Sequence, residues 1–154
     1  MADRQYAAER RSVGRLNVTD QIGGHLSGKS ELARYARARR VGALLFLAGV
    51  SSRQPDNTVK GASLGPTGAA EIDIRAQTEG CIENLRAVLE SEGLALSNLV
   101  DITAFLVNMA DYGGFVEAWN RFFDASGPTR TTVAVHQLPD PLLAVELKAI
   151  ATFE

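Results

Sequence analysis

An arginine and a glutamate occur inside two apolar, β-branched runs in the last part of the sequence. Arg130 lies in TRTTVAV and Glu146 lies in VELKAIA. Charged side chains are rarely buried without a partner. Two interpretations follow from this. Either the two side chains form a buried ion pair, or the arginine binds a substrate carboxylate through a two-pronged hydrogen bond and the glutamate acts as a base.

Both runs are predicted to be strands, with the LPDP segment turning between them. Alternation places Arg130, Thr132 and His136 on one face of the first strand, and Glu146 and Lys148 on one face of the second. If the two strands pair, Arg130 and Glu146 lie near each other with Thr132 between them. Spacing alone does not choose between the ion pair and the substrate site.

The bulk composition narrows the class of protein. A chain of 154 residues with 45% hydrophobic and 22% charged residues is typical of one globular domain. The formal net charge of −2 gives no global attraction to nucleic acid or acidic membranes. Cys81 is the only cysteine and there are two histidines, so we expect no internal disulfide, no metal centre and a core position for Cys81.

The N-terminal part shows no targeting or membrane signal. No apolar run follows the initial methionine, and the longest one, VGALLFLAGV, is far shorter than the roughly 20 residues that span a bilayer. We therefore expect a cytoplasmic protein with no membrane contact. Residues 1–31 are predicted to be a polar extension, and residues 32–154 to be the domain.

The elements that would position the two charged residues follow from periodicity. YARARR and ALLFLAG, separated by Gly42, are predicted to form a hairpin whose second strand is buried. The segment Ser51–Gly68 is predicted to be a long loop, which is often functional in a compact domain. A helix from about Glu71 to Glu92 follows, with Gly93 as its C-terminal cap.

A strand is then predicted over Asn98–Asn108, followed by a second helix that Asp111 caps. The aromatic residues of that helix recur at helical spacing, which is typical of core packing; they are Tyr112, Phe115, Trp119, Phe122 and Phe123. The order ββ–α–β–α–ββ predicts an α+β domain with one mixed sheet and two helices on one of its faces.

Two quoted segments also resemble a known family. GPTRTTVAVHQLP with VELKAIA, and ARYARARRVGALLFLAG, are similar to the RidA/YjgF family of enamine and imine deaminases, over about residues 33–151. The resemblance implies a chorismate-mutase-like fold and a homotrimer with its active sites between subunits. It implies no metal or organic cofactor. Arg130 would bind the carboxylate, Glu146 would position or deprotonate water, Tyr35 would line the cleft, and the Gly49 backbone would bind the substrate nitrogen.

Shorter segments resemble one branch of that family. SSRQPDNTVKGAS, DIRAQT and RTTVAVHQLPDP are similar to 2-aminomuconate deaminases, which release ammonia from a dicarboxylate to give 4-oxalocrotonate. Three positions depart from the common family pattern: Ala48, Thr132 and Val116 stand where Ser, Cys and Asn are frequent. These departures argue against the generic substrate of the family, the small imine of 2-aminoacrylate. The distal carboxylate needs a partner of its own. Arg53 is favoured because it closely follows Gly49, and His136, Arg37, Arg39 and Lys148 are the other candidates.

Two alternatives remain open at this stage. One is a broad-specificity imine and enamine deaminase, and the other is a non-catalytic trimer that binds small carboxylates. Chorismate mutation and nucleic-acid binding rank below these, because only one arginine is clearly placed and no basic-aromatic patch is present.

Overall fold

The structure, a computed structural model, describes residues 35–154. The elements are β1 (Ala38–Val41), β2 (Leu44–Leu47), β3 (Ala62–Leu64), β4 (Ala70–Ile72), α1 (Ile74–Ser91), β5 (Leu99–Leu106), α2 (Tyr112–Trp119), β6 (Thr129–Ala134) and β7 (Val145–Thr152). Five strands form one mixed sheet in the order β1-β2-β7-β5-β6, in which only β5 and β6 are parallel. The predicted α+β class, with a mixed sheet and two helices on one face, is confirmed. The predicted extension over residues 1–31 lies outside the described residues.

The first two strands form the predicted hairpin. Gly42 turns the chain with a φ of 62°, a backbone conformation that favours glycine. Leu45 and Leu47 are almost fully buried, whereas Leu44 and Phe46 are about 40% exposed. The prediction that this strand is buried holds for one of its faces in the single chain, because the helices cover only one face of the sheet. We call the uncovered side the open face.

The long segment before the first helix is more ordered than predicted. Its residues Ala62–Leu64 form β3, which pairs with β4 in a separate two-stranded sheet. Helix α1 therefore begins at Ile74, after the predicted Glu71. Asp73 is its N-cap residue, and the Asp73 carboxylate accepts hydrogen bonds from the backbone N–H groups of Arg75 (3.0 Å) and Ala76 (3.1 Å).

The C-terminal end of α1 has the predicted glycine cap. Gly93 has a φ of 76° and its N–H donates to the Glu90 carbonyl, while the Leu94 N–H donates to the Leu89 carbonyl. These two bonds close the helix in a Schellman motif. Cys81 is fully buried on the apolar stripe of α1, and burial strongly raises the pKa of its thiol. It is a core residue, as predicted, and stays protonated.

The second helix is shorter than its aromatic pattern suggested. Asp111 stands at the N-cap position but makes no side-chain capping bond, so its predicted role is wrong. Asn108 instead accepts a hydrogen bond from the Ala110 N–H in the short turn that leads into α2. Phe115, Trp119 and Phe123 are buried as predicted. Within residues 35–154, neither helix combines the length and hydropathy needed to cross a bilayer.

Candidate active site

Arg130 and Glu146 lie on opposite faces of the sheet. Strand β5 separates β6 from β7, with Arg130 paired to Ile102 and Glu146 paired to Phe105. Paired residues on neighbouring strands point to the same side of a sheet. Ile102 is fully buried beneath the helices, so Arg130 lies on the helix side, whereas Phe105 alternates with buried neighbours and places Glu146 on the open face.

The separation of the last two strands by β5 removes the condition under which Arg130 and Glu146 would lie near each other. Its consequence is that a buried ion pair between Arg130 and Glu146 cannot form within one chain. Neither residue takes part in an ion pair among residues 35–154. Each charged group is thus available to a ligand or to another copy of the protein.

Aromatic side chains of α2 hold the Arg130 guanidinium. Its central carbon lies 4.8 Å from the ring centre of Trp119, 5.1 Å from that of Phe115 and 6.0 Å from that of Tyr112. The Arg130 Nη2 also donates to the Tyr112 hydroxyl at 3.3 Å. Such contacts attract a cation and restrict its position. The aromatic stripe, predicted to be core alone, also positions this arginine, and Tyr112 remains 41% exposed beside it.

Thr132 lies on the same side of β6 as Arg130, because it pairs with Ala104. Its hydroxyl oxygen is buried and has no hydrogen-bond partner in the part of the chain that the structure describes. Buried polar groups almost always have such a partner. The hydroxyl is therefore placed to bind a group that one copy of the chain does not supply, next to the guanidinium.

Glu146 lies against the backbone of Gly49. A Cβ atom added to residue 49 would be 2.2 Å from the Glu146 Oε1 atom. Phe46 pairs with Ile150 and Val50 pairs with Leu147, which leaves one extra residue between these pairs, on the Gly49 side. This bulge brings the Gly49 backbone under the carboxylate. Burial raises the pKa of the Glu146 carboxyl above its ordinary value.

Tyr35 and Arg37 lead into the edge strand beside Gly49. The Ala48 N–H donates to the Arg37 carbonyl at 2.8 Å, so Arg37 stands opposite the residue that precedes Gly49. Strand alternation from Ala38, which pairs with buried Leu47, places Arg37 on the open face. Tyr35 is 61% exposed just before this point.

Arg53 is already occupied by other groups of the chain. Its Nη2 forms an ion pair with Asp140, and its Nη1 donates to the Asn57 carbonyl at 3.2 Å. The pKa of Asp140 is lowered by the N–H of Leu142 and also by Arg53. His136 is exposed in a bend beyond the end of β6, so the predicted alternation does not extend to it. Among residues 35–154, neither residue forms a hydrogen bond or an ion pair with Arg130 or Glu146.

The site thus consists of two halves. The Glu146 half, on the open face, offers a carboxylate base against a peptide backbone. The Arg130 half, on the helix side, offers a guanidinium and the hydroxyl of Thr132. Among residues 35–154, no group of three or more His, Cys, Asp or Glu side chains is arranged to hold a metal ion.

Comparison with known proteins agrees with this fold. The profile of the family described as Endoribonuclease L-PSP matches residues 28–153. A RutC family protein of Pyrococcus abyssi is 34% identical over 119 residues, which cover 76% of this chain and 84% of that protein. The Escherichia coli K12 protein TdcF, which carries the name of a reactive intermediate deaminase, is 32% identical over 88 residues, 55% of this chain and 67% of TdcF.

Solved structures show the same architecture. The crystal structure of yeast YEO7 superposes with a TM-score of 0.70 at 29% identity, over 83% of this chain and 94% of that one. Escherichia coli TdcF with bound serine superposes with a TM-score of 0.66 at 25% identity, over 82% and 94% of the two chains. The profile match over most of the sequence, the relatives and the shared fold show that the chain belongs to the Endoribonuclease L-PSP family, the RidA/YjgF family that its sequence resembles.

Proposed function

We propose that the protein hydrolyses the C=N bond of an imine, formed from an enamine that carries a carboxylate, and releases ammonia. One observation carries this proposal. Among residues 35–154, the Glu146 carboxylate lies against the Gly49 backbone and pairs with no cation, and the Arg130 guanidinium lies on the other side of the sheet and pairs with no anion. Together these halves provide a base and a carboxylate-binding group, which is the minimum that the reaction requires.

The chemistry follows from the properties of these groups. Protonation of the enamine at carbon gives the protonated imine, water adds to its C=N carbon with loss of a proton, and the resulting carbinolamine loses ammonia to leave a carbonyl. Glu146 accepts the proton of the attacking water and returns a proton to the departing nitrogen. Its raised pKa makes the ionised carboxylate a stronger base. Such compounds hydrolyse unaided, so orientation supplies much of the acceleration.

The two halves can act together only if they come from different copies of the chain. This supports the homotrimer that the resemblance implies, with Glu146 and Gly49 of one subunit facing Arg130 and Thr132 of the next. The open face carries exposed apolar side chains that an assembly would cover, among them Val41, Leu44, Phe46 and Val133. A single subunit is then expected to be inactive.

Within this reaction class we propose 2-aminomuconate as the substrate. The support is the resemblance of three segments to that branch and the Thr132 hydroxyl, a polar group beside the arginine that has no hydrogen-bond partner among residues 35–154. Arg130 would bind the carboxylate next to the imine carbon. The formal net charge of −2 gives no support to ribonuclease activity, which the family description mentions.

We propose Arg37 for the distal carboxylate. The ion pair with Asp140 leaves Arg53, the residue favoured from the sequence, poorly placed to bind a second anion. Arg37 is partly buried on the Glu146 side of the sheet, opposite Ala48, and its side chain takes part in no ion pair among residues 35–154. A partly buried carboxylate binds best where such a cation is already present.

Ammonia release from freshly generated 2-aminomuconate tests the proposal. The matched substrate is the imine of a monocarboxylate. Turnover of both, with preference for the dicarboxylate, is the expected result. Turnover of the monocarboxylate alone would indicate a broad-specificity deaminase, and carboxylate binding without turnover of either would indicate a binding protein.

A further inference from the structure

We propose that two side-chain amides of α1, those of Gln77 and Asn84, are positioning residues that hold Glu146 against Gly49. The inference rests on the proposed function for its catalytic consequence, although its structural part can be tested without it. The two amides are seven residues apart, which is two helical turns, so they project from the same side of α1. Each one binds the backbone of a different segment of the site.

Gln77 binds the segment that leads into Glu146. Its side chain is fully buried. The Oε1 atom accepts a hydrogen bond from the Ala144 N–H at 2.9 Å, and the Nε2 group donates to the Leu142 carbonyl at 2.6 Å. Ala144 stands two residues before Glu146, immediately before β7 begins. Gln77 therefore fixes the point at which the chain enters that strand.

Asn84 binds the segment that leaves Gly49. Its Nδ2 group donates to the Ser51 carbonyl at 2.8 Å and to the Arg53 carbonyl at 2.9 Å. Ser51 stands two residues after Gly49. The amide of Asn84 thus holds the downstream side of the bulge in the same way that Gln77 holds the upstream side of Glu146.

The two segments are also joined to each other. Val50 and Leu147 exchange two backbone hydrogen bonds of 2.8 and 2.9 Å, and the ion pair of Arg53 with Asp140 links the same segments farther out. These contacts and the two amides of α1 fix the distance between the carboxylate and the glycine backbone. A buried backbone N–H or carbonyl that loses its partner is costly, so loss of either amide would release its segment from the helix.

The test compares Gln77→Met with Thr78→Val. Methionine keeps the length of the glutamine side chain but makes no such hydrogen bonds. Thr78 is equally buried on the same helix, but its hydroxyl donates only within the helix, to the Ile74 carbonyl at 2.7 Å, which makes it a matched control. Amide hydrogen exchange is measured by NMR at Val50 and Leu147, with Ile102 of β5 as the internal reference.

In Gln77→Met, we expect Val50 and Leu147 to exchange about 10-fold faster relative to Ile102, as for a local opening. In Thr78→Val, the ratio should stay unchanged. The kcat for ammonia release should fall by about 10²-fold in Gln77→Met, because the base is misplaced. Binding of muconate, the dicarboxylate without the amino group, should stay near normal by calorimetry, since Arg130 is untouched.

Two results would overturn the inference. One is an unchanged exchange ratio in Gln77→Met, and the other is a raised ratio with normal kcat. If the wild-type protein releases no ammonia, the proposed function fails, and the exchange ratio still decides whether Gln77 holds the two segments. If Gln77→Met does not fold, Asn84→Ala replaces it, because Asn84 is only partly buried, and the same selective change at Val50 is required.

Discussion

The Glu146 carboxylate and the Gly49 backbone are so close that no side chain fits between them. A Cβ atom at residue 49 would stand 2.2 Å from Oε1 and 2.8 Å from the carboxyl carbon of Glu146. A Cβ atom does not approach a non-bonded atom this closely, so any larger residue at position 49 must move the carboxylate. Residue 49 is glycine because of this approach and not because of a left-handed backbone, since its φ is outside that region.

Gly49→Ala should therefore inactivate the protein without unfolding it. The displaced atoms are the end of a flexible side chain, so the melting temperature should change little, while kcat falls by about 10²-fold as the base moves. Gly113→Ala is the control, because a Cβ atom there meets nothing within 4 Å. Normal kcat in Gly49→Ala would show that the position of Glu146 does not matter for turnover.

Arg130→Lys should impair substrate binding with the assembly intact. Lysine keeps the charge but lacks the planar fork that binds a carboxylate through two hydrogen bonds. Loss of one charged hydrogen bond costs about 1.5–3 kcal/mol, or roughly 10- to 100-fold in kcat/KM. Arg86→Lys is the control, because Arg86 also lies over an aromatic ring, that of Phe122. Unfolding of Arg130→Lys, with normal activity in the folded fraction, would assign Arg130 a structural role.

Glu146→Gln should abolish turnover and preserve binding. Glutamine has the same shape but cannot accept a proton from water, so kcat should fall by about 10²–10⁴-fold. The dissociation constant of muconate, measured by calorimetry, should remain close to the wild-type value. A variant that turns over normally would remove Glu146 from the chemistry.

The same variant should be more stable than the wild type at neutral pH. Burial raises the pKa of Glu146 in the folded state, so the folded protein binds this proton more tightly than the unfolded chain. The stability that the protonated group contributes is complete below the unfolded pKa, about 4.3, and is lost as the pH rises through the folded pKa.

Melting temperatures of Glu146→Gln and its parent should accordingly differ at pH 7 and converge at about pH 4. For this comparison both proteins also carry Arg130→Gln, so that the guanidinium of a neighbouring copy does not offset the effect of burial on the pKa of Glu146. A difference that grows toward low pH would contradict the raised pKa.

Arg53→Ala and Asp140→Ala should weaken the fold without changing the selectivity for a dicarboxylate. Each breaks the same ion pair, whose side chains are about one-fifth exposed, and each should cost about 1 kcal/mol of the free energy of unfolding. Neither should change the ratio of KM values for 2-aminomuconate and a monocarboxylate imine. Arg37→Ala should raise KM for the dicarboxylate alone, by roughly 10- to 100-fold. If Arg53→Ala produces that selective increase instead, the assignment made from the sequence is correct.

The sequence predicted the elements well where a local signal exists. The apolar stripe and Gly93 cap of α1, the Gly42 hairpin and strand β5 all follow from periodicity or backbone conformation within one segment. The start of α1 was misplaced because Asp73, a better cap, lies inside the predicted helix. The short strands β3 and β4 were missed because three residues rich in Ala, Ser and Glu give no period.

The arrangement of the site was harder to predict because it depends on contacts between distant segments. Sequence neighbours often pair, which favoured a hairpin of β6 and β7, but β6 instead follows α2 and pairs in parallel with β5. The hydrogen bonds of the Gln77 and Asn84 amides could not be predicted from the sequence, because polar residues on a helix usually face water. Only the structure shows that they bind backbone groups of two other segments.

The central place of β7 has a consequence for how the protein forms on the ribosome. The pairs β1–β2 and β5–β6 share no strand-to-strand hydrogen bonds, and β7 joins them from between. Its contact with β2 links residues about a hundred positions apart, as in the pairing of Phe46 with Ile150. Pairing over such separations is slow. During synthesis we therefore expect the pairs β1–β2 and β5–β6 to stay unjoined until the β7 segment has left the exit tunnel. Until then, helix packing or chaperones must keep these strand pairs from aggregating.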